Sequence, residues 1–270
     1  MAKKVVLLVV DPQVDFCDPK GSLSVKGADK DMDRLSKMIK RVKGDLDDII
    51  VTLDSHRTLH VAHGIMWVDS QGNHPKPFTL IEAADVEGNN PKWRSFNLGY
   101  QQRLVDYVKS LEKNGRYKLC IWPMHCRIGG HGYSVSPEVF EALCEWEEQR
   151  FGAVNYVTKG SNIFTEHYSV LCADVYDPED PKTGLNTELL KVLQDPEVAL
   201  IGISGEASSH CVKFSIEDVA NNFGEDNIKK FVFLEDTCSP VTGFEQQATD
   251  FINTMTKRGM KVTTSDKFLK

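Results

Sequence analysis

The chain holds 270 residues, 41% hydrophobic and 26% charged, and its 32 lysines and arginines face 39 aspartates and glutamates for a formal net charge of −7. That length and apolar content suit one large α/β domain or two small ones and exclude an intrinsically disordered chain. The acidic balance argues against a binder of nucleic acid or anionic membrane, and no apolar run approaches the roughly 20 residues that cross a bilayer, so a soluble, cytoplasmic protein is expected.

The first apolar run, VVLLVV at 5–10, is too short for a secretory core and ends at Asp11 and Pro12; it reads as a buried strand. A helical stripe follows in Met32, Leu35, Met38, Ile39 and Val42, then a second strand, IIVTL at 49–53, leading to Asp54 and His56. From 64 to 97 periodicity is lost among HPKPF and GNNPKW, which predicts an inserted loop, either a surface excursion or a lid. Leu104, Val105, Val108 and Leu111 mark the next helix, LCIW at 119–122 a third strand before His125, and NYVT at 155–158 a fourth before Lys159. Leu185, Leu189 and Leu193 share a helix face. ALIGI at 199–203 is a strand whose small-residue turn opens a helix from Cys211 to about Asn222. FVFL at 231–234, a helix through Phe244, Ala248, Phe251, Ile252 and Met255, and MKVTT at 260–264 complete the pattern. Short buried strands alternating with amphipathic helices predict one α/β domain over 1–270, with a doubly wound, mostly parallel sheet.

Ligands of such sheets bind beyond the carboxyl ends of the strands. Asp11, Asp54, His56, His125, Lys159 and the turn to Cys211 all fall there, which puts an acid, metal-type ligands, an amine and a thiol on one edge. Cys211 opens a helix, where unpaired N–H groups and the positive dipole end favour a thiolate and hold an oxyanion. The seven cysteines (Cys17, Cys120, Cys126, Cys144, Cys172, Cys211 and Cys238) are odd in number and contain no CxxC pair, so most are expected as free buried thiols. A thiol nucleophile needs a proton acceptor. Asp11 suits that role better than His210, which adjoins Cys211 in sequence but points elsewhere on a helix. Lys159 would offset the charge of both. Asp54 and His56, two apart on extended chain, leave from one face and with His125 offer a divalent ion one carboxylate and two imidazoles. Singly, each has a plainer reading: a structural thiol, a turn-capping carboxylate, a surface lysine, a satisfied polar pair.

Taken in order, DPQVDF at 11–16, DSH at 54–56, WPMHC at 122–126, TKGSN at 158–162, TGL at 183–185 and GEASSHCV at 205–212 resemble the landmarks of the isochorismatase-like cysteine hydrolases. They look most like the nicotinamidase and pyrazinamidase branch, over about residues 5 to 265. The resemblance implies a six-stranded sheet with helices on both faces and a catalytic set of Cys211, Asp11 and Lys159. It also implies an oxyanion hole from the backbone N–H groups of Ala207 and Cys211, with a cis peptide at Glu206–Ala207; the family commonly has a small apolar residue where Glu206 stands. One divalent ion is implied at Asp54, His56 and His125, with His60 as a further ligand or neighbour. Zinc leads, with iron or manganese as alternatives, and in the family the ion docks the pyridine nitrogen of the substrate. Phe16 and Trp122 match aromatics placed around the ring, and Gln13 is a third substrate-side candidate. His63 and His74 read as loop residues; His131, Tyr133 and His167 lie near the landmarks without an assignable role.

The activity so implied is hydrolysis of nicotinamide to nicotinate and ammonia through a cysteine thioester, in NAD salvage. The partner is then a small-molecule amide, with neither nucleic acid nor membrane, and a homo-oligomer is compatible with it. Two alternatives stand beside it. One is a cysteine amidohydrolase of the same superfamily acting on a carbamoyl, ureido or other aromatic amide, relatives that often lack the metal ligands. The other is a catalytically silent regulator that binds a metal or metabolite.

Overall fold

The computed structural model describes residues 3–270. Six strands form a fully parallel sheet: β1 (Lys4–Val10), β2 (Asp48–Asp54), β3 (Asn155–Lys159), β4 (Val198–Gly205), β5 (Phe231–Leu234) and β6 (Lys261–Thr263). Their spatial order is β6-β5-β4-β1-β2-β3. The first three strands build outward on one side of β1 and the last three on the other, the doubly wound arrangement expected. The crevice of such a sheet opens where the order reverses, here between β1 and β4.

Six longer helices cover the sheet: α1 (Ala28–Val42), α2 (Gln101–Lys113), α3 (Pro137–Arg150), α4 (Thr187–Gln194), α5 (Cys211–Phe223) and α6 (Glu245–Lys257). Alternation along the central strands fixes which layer each residue meets. Leu7, Val9, Ile49 and Val51 pack with Met32, Leu35 and Ile39 of α1 and with Val139, Leu143 and Trp146 of α3. Val6, Leu8, Val10 and Ile50 face the other way, into a cluster with Val212, Ile216 and Val219 of α5, Leu189 and Leu193 of α4, and Phe251 and Met255 of α6. Each such side chain contributes about 1.5–3 kcal/mol on burial, and a one-residue slip would exchange the two faces, so packing on both sides pins the register.

The run at 119–122 departs from the expectation. Leu119–Cys120 pairs antiparallel with Leu80–Ile81 in a two-stranded ribbon outside the main sheet. The reason is a third core, built from Val61, Trp67, Ile81, Leu104, Val108, Leu111 and Ile121 among others, which buries an apolar run without the large sheet. The aperiodic stretch 64–97 belongs to this layer. It carries a second ribbon, Trp67–Val68 with Arg94–Ser95, and a helical turn at Ala83–Val86. All seven cysteines are free. Among the described residues no helix is long and apolar enough to cross a membrane.

Candidate active site and metal centre

Strand register assembles the site. Asp54 lies opposite Lys159 and Val10 opposite Gly205, so Asp11, Asp54, Lys159 and the turn after Gly205 share the carboxyl edge of four adjacent strands. At the end of β4 only glycine fits, because a Cβ on Gly205 would stand 2.0 Å from the Val10 carbonyl oxygen. Just past β1 the chain turns at Asp11, whose φ is +45°. Thr52 of β2 secures that turn: its Oγ1 accepts the Asp11 N–H at 3.0 Å and donates to Asp11 Oδ1 at 2.5 Å.

Lys159 is the electrostatic centre. Its buried Nζ lies 2.8 Å from Asp11 Oδ2, 3.3 Å from Asp54 Oδ1 and 3.5 Å from Cys211 Sγ. Burial works against its charge, but Asp11 and Asp54 carry its pKa well above the ordinary value, so it stays an ammonium. Burial raises the Asp11 carboxyl although Lys159 pulls the other way. Burial likewise lifts the Cys211 thiol well above its usual value, against the pull of Lys159. For Asp54 the balance reverses: burial opposes ionisation, yet His56 and Lys159 hold it well below the ordinary carboxylate range.

The turn from β4 to α5 presents the thiol. Glu206–Ala207 is a cis peptide, and Cys211 is the first residue of α5. Ser208 N–H donates to the Ser239 carbonyl at 3.0 Å and Val212 N–H to the Ala207 carbonyl at 3.2 Å. The N–H groups of Ala207 and Cys211 have no acceptor among the described residues, which leaves both free for an oxyanion.

Beside Cys211, Asp11 and Lys159, the buried Asp54, His56 and His125 bring one ligand atom each to within 4.8 Å of one another. Asp54 Oδ2 lies 2.9 Å from His56 Nε2 and 3.3 Å from His125 Nε2. In both rings Nδ1 faces a main-chain carbonyl, that of Gly160 at 3.1 Å and that of Pro123 at 2.8 Å. Nδ1 therefore keeps a proton, and whenever the ring is neutral Nε2 turns a lone pair inward, the arrangement metal-binding histidines use. His56 Nε2 is buried without a hydrogen-bond partner. A carboxylate facing such lone pairs calls for a cation, and this O,N,N donor set fits a divalent ion. Gly160, with φ of +79°, keeps the space clear: a Cβ there would lie 2.7 Å from Asp54 Oδ1 and 3.1 Å from His56 Cε1.

His60 is turned differently. Its Nδ1 accepts the Ala62 N–H at 3.2 Å, so the neutral ring carries its proton on Nε2, which is buried and unpartnered. His60 nevertheless forms a second buried group with His56 and Glu166, whose ligand atoms lie within 4.8 Å of one another, and in this tautomer it offers that group an N–H rather than a lone pair. His63, unlike the loop residue the sequence suggests, is fully buried. Its Nδ1 lies 3.1 Å from the Thr58 carbonyl, its Nε2 lacks a partner, and its ring stands 5.5 Å from His56 and 5.8 Å from His125. Burial draws the His63 pKa down to about 3, keeping the ring neutral. Val61 and Ala62, the two residues between the histidines, enter the third core, which pulls both histidines inward. His74 is exposed, as expected of a loop residue.

A narrow pocket reaches Cys211 and Ala207 between Phe16, Trp122 and Tyr168, with Asp54, His125, Glu166 and His210 also on its walls. Trp122 Nε1 donates to Tyr168 Oη at 3.0 Å, fixing that wall. Gln13 is absent from it. Its Nε2 donates to the carbonyls of Asp54 and Tyr133 at 2.8 and 3.0 Å and its Oε1 accepts the Asp54 N–H at 2.7 Å, so Gln13 holds the end of β2. Glu166, whose Oε1 is 4.0 Å from His56 Nε2, is a site residue that sequence reasoning missed; an acid inside the run FTEHYSVL is the only sign of it.

No protein-family model matches the chain, and no curated protein matches it in sequence. Solved structures do match. A nicotinamidase/pyrazinamidase from Acinetobacter baumannii aligns over 100% of both chains at 20% identity and TM-score 0.65. The yeast nicotinamidase bound to the inhibitor nicotinaldehyde aligns over 96% of this chain and 99% of its own at 17% identity and TM-score 0.66. The pyrazinamidase of Pyrococcus horikoshii in complex with zinc aligns over 97% and 99% at 18% identity and TM-score 0.55. An isochorismatase-like hydrolase from Alkaliphilus metalliredigens aligns similarly, at 16% identity and TM-score 0.54. The chain thus has the isochorismatase-like hydrolase fold, in the form that nicotinamidases and pyrazinamidases take.

Proposed function

We propose that this protein is an amidohydrolase that converts nicotinamide to nicotinate and ammonia through a thioester on Cys211, a reaction of NAD salvage. One observation carries the reading. A buried thiol, 3.5 Å from a lysine that also holds Asp11, shares one aromatic-walled pocket with the carboxylate and imidazole of Asp54 and His125.

The chemistry follows from the charges. The resting nucleophile is the thiol, since burial raises it. As Sγ attacks the carboxamide carbon its proton passes to Asp11. The C–S bond forms and the carbonyl π pair moves to oxygen, which the N–H groups of Ala207 and Cys211 receive. Asp11 then gives the proton to the amide nitrogen, the C–N bond breaks and ammonia leaves. Water next yields a proton to Asp11 and attacks the thioester. The C–S bond breaks, the thiolate recovers the proton from Asp11, and the acid departs, giving its remaining proton to solvent to become nicotinate. Lys159 keeps its charge throughout and balances the negative charge that moves between Asp11 and Sγ. Phe16 and Trp122 give a flat ring two aromatic faces. Asp54, His56 and His125 would hold the divalent ion, zinc in the first instance, which when bound supplies a Lewis-acid site for a ring nitrogen.

The test is product formation. Purified protein is loaded with zinc, iron(II) or manganese(II) and given nicotinamide, with carbamoyl and ureido compounds alongside, while ammonia and nicotinate are quantified. Release of both from nicotinamide, absent in Cys211→Ala, supports the proposal. Hydrolysis of the ureido or carbamoyl compounds alone moves the substrate to the wider superfamily. No turnover of any amide with any of the ions refutes the enzyme reading.

A further inference from the structure

Immediately before Ala207 the chain carries an acid, Glu206, and it is fully buried. Its main-chain N–H donates to the Val10 carbonyl at 2.8 Å, and its Oε2 accepts the Ser239 N–H at 3.0 Å. Oε1 has no hydrogen-bond partner among the described residues, and the nearby carboxyl of Asp31, in the first turn of α1, is held on the same residue, Ser239. Asp31 is buried as well. Its Oδ2 accepts the Ser239 hydroxyl at 2.5 Å and its Oδ1 pairs with Arg34 at 2.5 Å. Ser239 therefore ties three pieces together, because its carbonyl also accepts the Ser208 N–H.

The groups facing this pair are few. Arg34 and Asp31 come from α1, the thiols of Cys17 and Cys238 are kept protonated by burial, and Asp236 lies on the far side of Arg34, its Oδ2 4.0 Å from Nε. One guanidinium thus already serves two carboxylates before Glu206 is counted. Two ionised carboxyls held on one serine away from water would repel, whereas one proton shared between them lets them hydrogen-bond. We propose that Glu206, protonated and bonded to Asp31, is a positioning residue for the oxyanion-forming turn, and that loss of the shared proton loosens that turn. Its effect on turnover rests on the amidase reading above; its effect on stability does not. Burial, and then Asp31, raise the Glu206 carboxyl well above its ordinary value. The sign follows: its stabilisation is full below the unfolded carboxyl value, about 4.3, and is lost as pH rises through the folded value.

Two variants test this. Glu206→Gln keeps an acceptor for the Ser239 N–H and a donor for Asp31 but has no proton to lose; Glu206→Val removes both bonds. Melting temperature and zinc-loaded ammonia release from nicotinamide are followed from pH 5 to 9 for the parent and both variants. The parent's melting temperature should fall relative to that of E206Q as pH rises, and E206Q should lack the parent's alkaline loss of kcat. E206V should lose about tenfold or more in kcat with KM changed less than about twofold, as expected when donors are misplaced and substrate binding is not. Parallel pH profiles for parent and E206Q, or parental kcat in E206V, would overturn the proposal. Should E206V fail to fold, the comparison with E206Q decides alone. A parent that releases no ammonia counts against the amidase reading, and the melting profiles still decide whether the acid pair shares a proton.

Discussion

Replacing Lys159 with methionine removes the ammonium that touches both Asp11 and Asp54 while keeping most of the side chain's bulk. At an effective dielectric of about 20, contacts at 2.8 and 3.3 Å are each worth about 5–6 kcal/mol before desolvation is counted. Dehydrating the ammonium offsets much of that, and deleting one partner of a buried pair has a net cost of about 3–5 kcal/mol. A domain's whole stability is about 5–15 kcal/mol, so the loss is measurable by urea denaturation of the metal-free protein. K159M should therefore lose about 3–5 kcal/mol, and the K159M/D11N double variant should regain at least about 1 kcal/mol, because one of the two stranded carboxylates is gone. A K159M variant within about 1 kcal/mol of the parent, the scale of an exposed pair, would refute the reasoning. A double variant less stable than K159M would do so equally.

Other consequences are separable. Gly160→Ala puts a methyl 2.7 Å from Asp54 Oδ1, so zinc retained after dialysis, read by atomic emission, should drop at least about tenfold, given that supporting residues alone tune metal affinity 10–100-fold; parental zinc content would contradict the cradle described. Phe151, 99% exposed with φ of +51° at the end of α3, sits in a conformation that costs a side chain about 1–2 kcal/mol. Phe151→Gly should raise the calorimetric melting temperature by about 2 °C, and a decrease would rule the effect out. Trp146 is buried between α3 and the sheet, with Nε1 donating to the Leu46 carbonyl at 3.1 Å. Trp146→Ala should lose about 3–5 kcal/mol in denaturation, whereas a loss under about 1 kcal/mol would mean the layer is not packed there.

The central strands were legible because β1, β2 and β4 are short apolar runs ending in reactive residues, and those ends fall on one edge by the topology of a doubly wound sheet. The run at 119–122 looks identical in composition, yet it belongs to a ribbon; burial alone does not tell which core an apolar segment joins. At the site, Asp11, Asp54, His56, His125, Lys159 and Cys211 could be read because each follows a strand or opens a helix. His63 and Glu166 could not. Their approach to His56 depends on how the third core folds the 61–122 layer and the chain after β3 against the sheet, and no local spacing encodes that. Gln13 shows the converse: it lies in a recognisable motif, but its amide is fully engaged with the backbone of Asp54.

The catalytic cycle proposed for this site depends on Cys211 becoming acylated. The most direct measurement is acid quenching of the zinc-loaded protein within its first turnovers of nicotinamide, followed by peptide mass spectrometry. The account predicts a nicotinoyl group on the Cys211 peptide, lost on treatment with hydroxylamine and absent from Cys211→Ser. Turnover in which Cys211 stays unmodified while Cys211→Ser remains active would contradict it.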